Sequence, residues 1–126
     1  MELRLVLTVP DFDAARAFYR DALGLGELDA WESDEGRIVL LDAGRATLEV
    51  IDEAQAATID RIEVGRRVAE PVRVAFQVDD SAGLAQRLVE AGAELVAGPA
   101  ETPWRDLNVR LTAPEGTQLT LFQPLG

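Results

Sequence analysis

The chain has 126 residues, a net charge of −11, and no cysteine, histidine or lysine. This length fits one domain with a single core. The missing residue types exclude disulfides, thiolate or imidazole metal sites, a Ser-His-Asp triad and a Schiff-base lysine. The acidic balance argues against nucleic acid or an anionic membrane surface as a partner, because both would be repelled.

No apolar run in the sequence reaches the roughly 20 residues that a membrane-spanning helix needs. Met1 leads directly into strand-like sequence, without the basic and apolar regions of a signal peptide. We therefore expect a cytoplasmic protein.

The first quarter of the chain predicts a strand followed by a helix. Residues 3–9 alternate between apolar and mixed positions, and Arg4 is one of the mixed positions. Asp11 follows Pro10 and is a typical helix N-cap. A stripe at helical spacing comes next and ends at Gly24. Its members are Phe12, Ala15, Phe18, Tyr19, Ala22 and Leu23.

Three strands are predicted after this helix, at residues 27–32, 37–42 and 46–51. Residues 54–70 then alternate between acidic and basic types with little apolar content. This composition predicts a surface connector with room for a short helix, closed by Pro71.

The second half of the chain repeats the first. A strand at residues 72–78 carries Arg73, and Asp80 or Ser81 caps a helix that ends at Gly92. Three more strands are predicted at residues 94–97, 106–112 and 117–123. In both halves an Arg in the first strand precedes the capping Asp by seven residues.

The sequence therefore predicts an α+β fold built from two βαβββ modules in a single domain. Module 1 covers about residues 1–53, the connector covers residues 54–70, and module 2 covers about residues 71–126. Each sheet face toward the helices is almost purely apolar, whereas the opposite face is mixed. Such a mixed face either meets solvent or encloses a ligand cleft, and periodicity alone does not choose between them.

Motifs in sequence order resemble the vicinal oxygen chelate superfamily, which includes glyoxalase I, extradiol dioxygenases and bleomycin-binding proteins. The motifs are Val9-Pro10-Asp11, Ala17-Phe18-Tyr19, Leu23-Gly24, Val74-Ala75-Phe76-Gln77-Val78-Asp79-Asp80, Ala91-Gly92-Ala93, Ala113-Pro114-Glu115-Gly116-Thr117 and Leu121-Phe122-Gln123. The resemblance covers nearly the whole chain. It implies a cupped sheet around a central site, with the helices on the outer face.

The resemblance also places four metal-ligand positions of the family, which usually hold His, Glu, His and Glu. In this chain they fall at Arg4, Glu49, Arg73 and Thr120. Only Glu49 fits the pattern, because an Arg guanidinium has no lone pair to offer a cation. We therefore expect neither a bound metal nor another cofactor.

The first functional hypothesis is a metal-independent small-molecule binding protein that sequesters an antibiotic or a metabolite. Its expected ligand-binding residues are Arg4, Glu49, Arg73, Thr120, Gln77, Trp31, Trp104 and Phe122. The two arginines would anchor an anionic group, and the tryptophans would stack on a planar ligand. Alternatively, the arginines form only internal salt bridges with Glu49 and neighbouring acids, and the tryptophans serve burial or a dimer contact.

The second hypothesis is a metal-independent isomerase, epimerase or cyclase in which Glu49 acts as the general base and an arginine stabilises a developing oxyanion. A metal-dependent glyoxalase or dioxygenase is the least favoured hypothesis, because the chain has no His or Cys ligand to offer a transition metal. Members of the family build the cup within one chain or across a dimer, and a homodimer is expected here. A monomeric mass in light scattering at micromolar concentration would contradict that expectation.

Overall fold

The computed structural model describes all 126 residues and contains one eight-stranded sheet. Its strand order is β2-β3-β4-β1-β5-β8-β7-β6. The strands are β1 (Leu3–Val9), β2 (Gly26–Ser33), β3 (Gly36–Asp42), β4 (Thr47–Asp52), β5 (Val72–Gln77), β6 (Glu94–Glu101), β7 (Asp106–Thr112) and β8 (Gln118–Pro124). The predicted α+β class and order of elements are confirmed.

Each half of the sheet repeats the same pairing. β1 pairs with β4 in parallel, and β5 pairs with β8 in parallel. The two halves meet where β1 and β5 pair antiparallel, with Val6 opposite Arg73. The first four strands and the last four therefore form one continuous sheet within a single chain.

Two helices cover the outer face of the sheet. The N-cap of α1 (Phe12–Arg16) is Asp11, whose side chain accepts a hydrogen bond from the Ala14 amide at 3.0 Å. The N-cap of α3 (Ser81–Glu90) is Asp80, whose side chain accepts a hydrogen bond from the Gly83 amide in the same way. Both predicted caps are therefore present. Beneath the helices lie two apolar clusters, one around Val39, Leu41 and Val50 and one around Val109, Leu111 and Leu121.

The stripe predicted for the first helix is only partly buried. After Arg16 the helix continues as a π-helical segment, Ala17–Ala22, in which the Leu23 amide bonds to the Phe18 carbonyl five residues earlier. The wider turn changes which side chains share a face. Tyr19 packs against the core, but Phe18 and Leu23 remain about three-fifths exposed, at 61% and 60%.

The predicted surface connector contains the main difference from expectation. α2 (Glu53–Glu63) is an 11-residue helix that lies on the inner face of the sheet, opposite α1 and α3, and packs against strands of both halves. Ala56 and Ile59 join Val6, Ile51 and other inner-face residues in a buried cluster. The short helix that the sequence allowed for is present, but the prediction of a surface connector was wrong, because even the acidic residues Asp60 and Glu63 of α2 are buried.

The strand at 94–97 is also longer than predicted. β6 continues to Glu101, with irregular register between Leu95 and Ala97 and again between Ala97 and Ala100. Gly98 has a φ of +104° and lies so close to the Asn108 carbonyl that a Cβ would not fit there.

The helices of this fold are all too short or too polar to span a lipid bilayer.

Candidate functional site

Four strands at the centre of the sheet bring the predicted metal-ligand positions to one place. Strand register sets Val6 opposite both Glu49 and Arg73, and sets Ala75 opposite both Arg4 and Thr120. Since directly paired residues point to the same face of a sheet, all four side chains project from the inner face.

These side chains surround a small cavity of about 60 Å³ beneath the loop between β6 and β7. This loop contains Trp104 and is called the Trp104 loop. Phe122 and Trp104, also predicted to bind a ligand, line the same cavity. Gln77 does not reach it. Its neighbour in register is Phe122, and its backbone amide bonds to the Glu2 carbonyl at 2.8 Å.

Arg4 is engaged by internal partners. Its Nε donates to Glu2 Oε2 at 2.9 Å, its Nη1 donates to Glu49 Oε1 at 3.4 Å, and its guanidinium lies 4.8 Å from the centre of the Phe122 ring. Burial alone would lower the pKa of Arg4, but the hydrogen bond to Glu2 and the charge of Glu49 raise it. Arg4 therefore matches the internal salt-bridge alternative.

Arg73 is in a different state. It is only 5% exposed, and its single hydrogen bond runs from Nη1 to Thr120 Oγ1 at 2.8 Å. No carboxylate forms an ion pair with it, so Nε and Nη2 have no partner in the protein. Burial lowers the pKa of Arg73, although an arginine remains charged under ordinary conditions. A buried, unpaired cation of this kind is rare, since burying a charge without a partner is expensive.

Asn108 was not predicted to belong to the site, but it lines the same cavity as Arg73. Its Nδ2 donates to Glu63 Oε2 at 2.7 Å. Its Oδ1 is buried and accepts no hydrogen bond. The cavity is therefore lined by free N–H donors of Arg73 and by a free acceptor oxygen of Asn108.

A buried ion-pair network holds α2 over the cavity. Arg110 Nη1 donates to Asp60 Oδ1 at 2.9 Å and to Glu63 Oε1 at 3.2 Å. The second oxygen of Asp60 accepts from the Val68 and Ala69 amides, each at 2.8 Å, and from the Arg67 guanidinium at 3.1 Å. Side chains of α2, its following loop and β7 therefore form one connected unit.

The network also explains the state of Asp60. Burial would raise the pKa of this carboxyl group, but the hydrogen bonds from Ala69 and Val68 and the charge of Arg110 outweigh it and hold the pKa below its ordinary value of 3.8. Asp60 is therefore a fixed negative charge against the positive charge of Arg110.

A larger cleft of about 560 Å³ opens above the small cavity, between α2, the β2–β3 hairpin and the Trp104 loop. Arg4, Glu49, Trp104 and Asp106 line both spaces. Trp31 lines the cleft only and is 53% exposed, and Trp104 is 46% exposed. The two tryptophans thus flank an opening rather than fill a core.

The donor set does not fit the metal site that the family resemblance implies. Glu49 is paired with Arg4, the Thr120 hydroxyl accepts from Arg73, and the other two positions are guanidiniums. No group of three or more Asp, Glu, His or Cys side chains is arranged so that it could hold a metal ion. Two cations at these positions would repel a divalent ion.

Four buried residues were not predicted to be part of this region, because they are polar and polar residues are usually exposed. Glu63 and Asp60 lie in a segment whose composition resembles a surface loop, and Asn108 and Arg110 occupy alternate positions of β7. One signal was available: Asn108 and Arg110 fall on the same face of their strand as the mixed residues of β8.

Comparison with known proteins agrees with this architecture. The structure of a glyoxalase/bleomycin resistance protein/dioxygenase superfamily member from Vibrio splendidus has a TM-score of 0.66 at 16% identity, covering 97% of each chain. Methylmalonyl-CoA epimerase from Mycobacterium tuberculosis has a TM-score of 0.68 at 19% identity, covering 98% of this chain and 87% of that one. These values show a shared fold.

A Streptomyces coelicolor methylmalonyl-CoA epimerase in complex with 2-nitronate-propionyl-CoA has a TM-score of 0.67 at 18% identity, covering 98% of this chain and 96% of that one. No curated protein matched the sequence. The family model of the Glyoxalase/Bleomycin resistance protein/Dioxygenase superfamily matches residues 3–121. The chain therefore belongs to the glyoxalase/bleomycin resistance protein/dioxygenase superfamily.

Proposed function

We propose that this protein is a metal-independent small-molecule binding protein. Its ligand lies in the cleft and inserts a polar end into the small cavity beneath Trp104. The observation that carries the proposal is the buried guanidinium of Arg73, which has one neutral hydrogen bond and no ion pair. A ligand acceptor would satisfy the donors that the protein leaves free.

The shape and lining of the cleft support a ligand with a planar part. Its volume of about 560 Å³ lies within the range of roughly 300–1,000 Å³ that is typical of small-molecule sites. Trp31 and Trp104 border it and remain half exposed. Large, partly exposed indole rings at an opening suit stacking against an aromatic or conjugated ligand.

The alternative function is a metal-independent isomerase, epimerase or cyclase with Glu49 as the general base. The observation in its favour is that Glu49 lies on the wall shared by the cavity and the cleft and is 7% exposed. Arg73 would then stabilise negative charge that develops on the substrate. Against it stands the ion pair with Arg4, whose Nη1 lies 3.4 Å from Glu49 Oε1 and occupies that oxygen.

Substitution of Arg73 tests the binding function. Titration of intrinsic tryptophan fluorescence with aromatic acids, their neutral amides and cationic glycopeptide antibiotics should identify ligands. For the ligands found, Arg73→Met should weaken binding about 10- to 100-fold, because a hydrogen bond to a charged group contributes about 1.5–3 kcal/mol. The matched control is Arg87→Met, since Arg87 is exposed on α3 at the outer face. Equal affinities for the two variants would contradict the role of Arg73.

The same ligands separate binding from catalysis. A sequestering protein returns its ligand unchanged, whereas the alternative predicts a product whose formation stops in Glu49→Gln. The control is Glu90→Gln, a change at an exposed position of α3, in which product formation should continue. The homodimer and the cytoplasmic location remain predictions that accompany this proposal.

A further inference from the structure

The cavity around Arg73 and Asn108 has hydrogen-bonding requirements of both kinds. Arg73 offers free N–H donors, and Asn108 Oδ1 is a buried acceptor without a donor. Both side chains are at least nine-tenths buried, with exposed fractions of 5% and 4%. Asn108 Oδ1 is the one buried side-chain polar atom of the chain without a hydrogen-bond partner, and a native protein rarely leaves such an atom unsatisfied.

The orientation of the Asn108 amide is fixed by its neighbour. Glu63 Oε2 lies 2.7 Å from Asn108 Nδ2, and a carboxylate can only accept a hydrogen bond there. Rotation of the amide would bring two acceptors together, so Oδ1 must face away from Glu63. A group that occupies the cavity therefore meets an acceptor at Asn108 and a donor at Arg73.

A full anion fits this cavity less well than a neutral group, because an anion only accepts hydrogen bonds and Asn108 Oδ1 needs a donor. Glu49 is paired with Arg4 and Glu63 with Arg110, so these charges are already compensated within the protein. A carboxylate placed here could accept from Arg73, but its other oxygen would face the lone pairs of Asn108 Oδ1.

The volume limits the size of the group that enters. A water molecule needs roughly 10–15 Å³ of space measured with a water-sized probe. The cavity of about 60 Å³ therefore has room for a few waters or for one compact polar group. A planar group with adjacent C=O and N–H functions meets both the size and the pairing requirements.

We propose that the ligand presents a neutral primary carboxamide or ureido group to this cavity, with its C=O accepting from Arg73 and its N–H donating to Asn108 Oδ1. This inference rests on the proposed binding function and specifies the chemical class of the ligand. The anionic anchor expected from the sequence is replaced by a neutral group that satisfies both side chains. The attached aromatic part extends into the cleft between Trp31 and Trp104.

Calorimetry on the wild-type protein tests this directly. The probes are three scaffolds, benzoyl, phenylacetyl and indole-3-acetyl, each as the primary amide, the carboxylate and the methyl ester. We expect at least one primary amide to bind at least 10-fold more tightly than its own carboxylate and ester, because only the amide supplies both hydrogen bonds. If the carboxylate or ester of every scaffold that binds is equal to or better than its amide, the inference is overturned.

Asn108→Leu provides the second arm, with melting curves to establish that the variant is folded. It should reduce the amide affinity to about that of the ester and leave the ester unchanged. An unchanged amide preference in the folded variant would also overturn the inference. The wild-type comparison stands whether or not the variant folds.

The outcomes separate this inference from the function on which it rests. Tight binding of aromatic acids that depends on Arg73, with no preference for amides, would refute the carboxamide and leave the binding function in place. Binding by no probe and by no member of the wider ligand panel would refute both.

Discussion

Asp60→Asn should lower the free energy of unfolding by about 3–5 kcal/mol, which is typical when one partner of a buried ion pair is removed. The Asp60 carboxylate accepts from Arg110, Arg67 and two backbone amides. An amide at this position has one acceptor oxygen, and its NH₂ group would face donors on the other side. Urea unfolding followed by circular dichroism would measure the change.

The matched control is Asp21→Asn, which also removes a carboxylate from an arginine. Asp21 pairs with Arg20 at 2.8 Å, but its side chain is 58% exposed. Water and salt screen an exposed pair of this kind, so its loss should change the stability little. If the two variants lost similar stability, α2 would not depend on the buried network.

The pH dependence gives an independent check on Asp60. Because its folded-state pKa lies below the ordinary value of 3.8, the carboxylate stabilises the fold fully above that pH. The contribution is lost as the pH falls through the lower, folded-state value. The wild-type free energy of unfolding should therefore decrease more steeply than that of Asp60→Asn as the pH falls below the ordinary value of 3.8. Parallel curves would show that Asp60 is not the group responsible.

Gly36→Ala should be the second strongly destabilising change, with an expected loss of about 2–5 kcal/mol from backbone strain and overpacking together. Gly36 begins β3 with a φ of +140°, a conformation that favours glycine. A Cβ there would overlap the backbone of Gln55 in the first turn of α2. The β2–β3 hairpin and α2 would have to separate, which would also open the cleft that they border. Thermal unfolding and the affinity of any cleft ligand would report the two effects.

Gly44→Ala is the control for the backbone effect alone. Gly44 also has a positive φ, +78°, but nothing lies within 4 Å of the position of a Cβ. Its loss should be about 1 kcal/mol, within the range for a strained residue. A loss as large as that of Gly36→Ala would mean that the contact with α2 contributes nothing.

The parts of the fold that follow local rules could be predicted from the sequence. Alternation marked the strands, and Asp11 and Asp80 marked the two outer helices, since an N-cap is a local device. The π-helical segment was missed because nothing in the spacing of Phe18 and Leu23 distinguishes a wider turn. The place of α2 was missed because its burial depends on Arg110, which lies 50 residues away in the sequence.

The candidate site divides in the same way. The family register brought Arg4, Glu49, Arg73 and Thr120 to one face of the sheet, and strand pairing places them there. Register could not decide which arginine has a carboxylate partner. That distinction depends on Glu2, at the start of the chain, which bonds to Arg4 and leaves Arg73 without an equivalent neighbour.

The single inner helix makes the two halves of this protein chemically unequal. Their strand pairings repeat each other, but α2, which lies on the inner face, comes after β4 of the first half. Arg4 and Arg73 occupy matching positions, yet one is neutralised by carboxylates and the other is free. A ligand that lies across this site meets two different ends and has one preferred direction. An elongated ligand should therefore bind in a single orientation, although the strand pairings beneath it are the same in both halves.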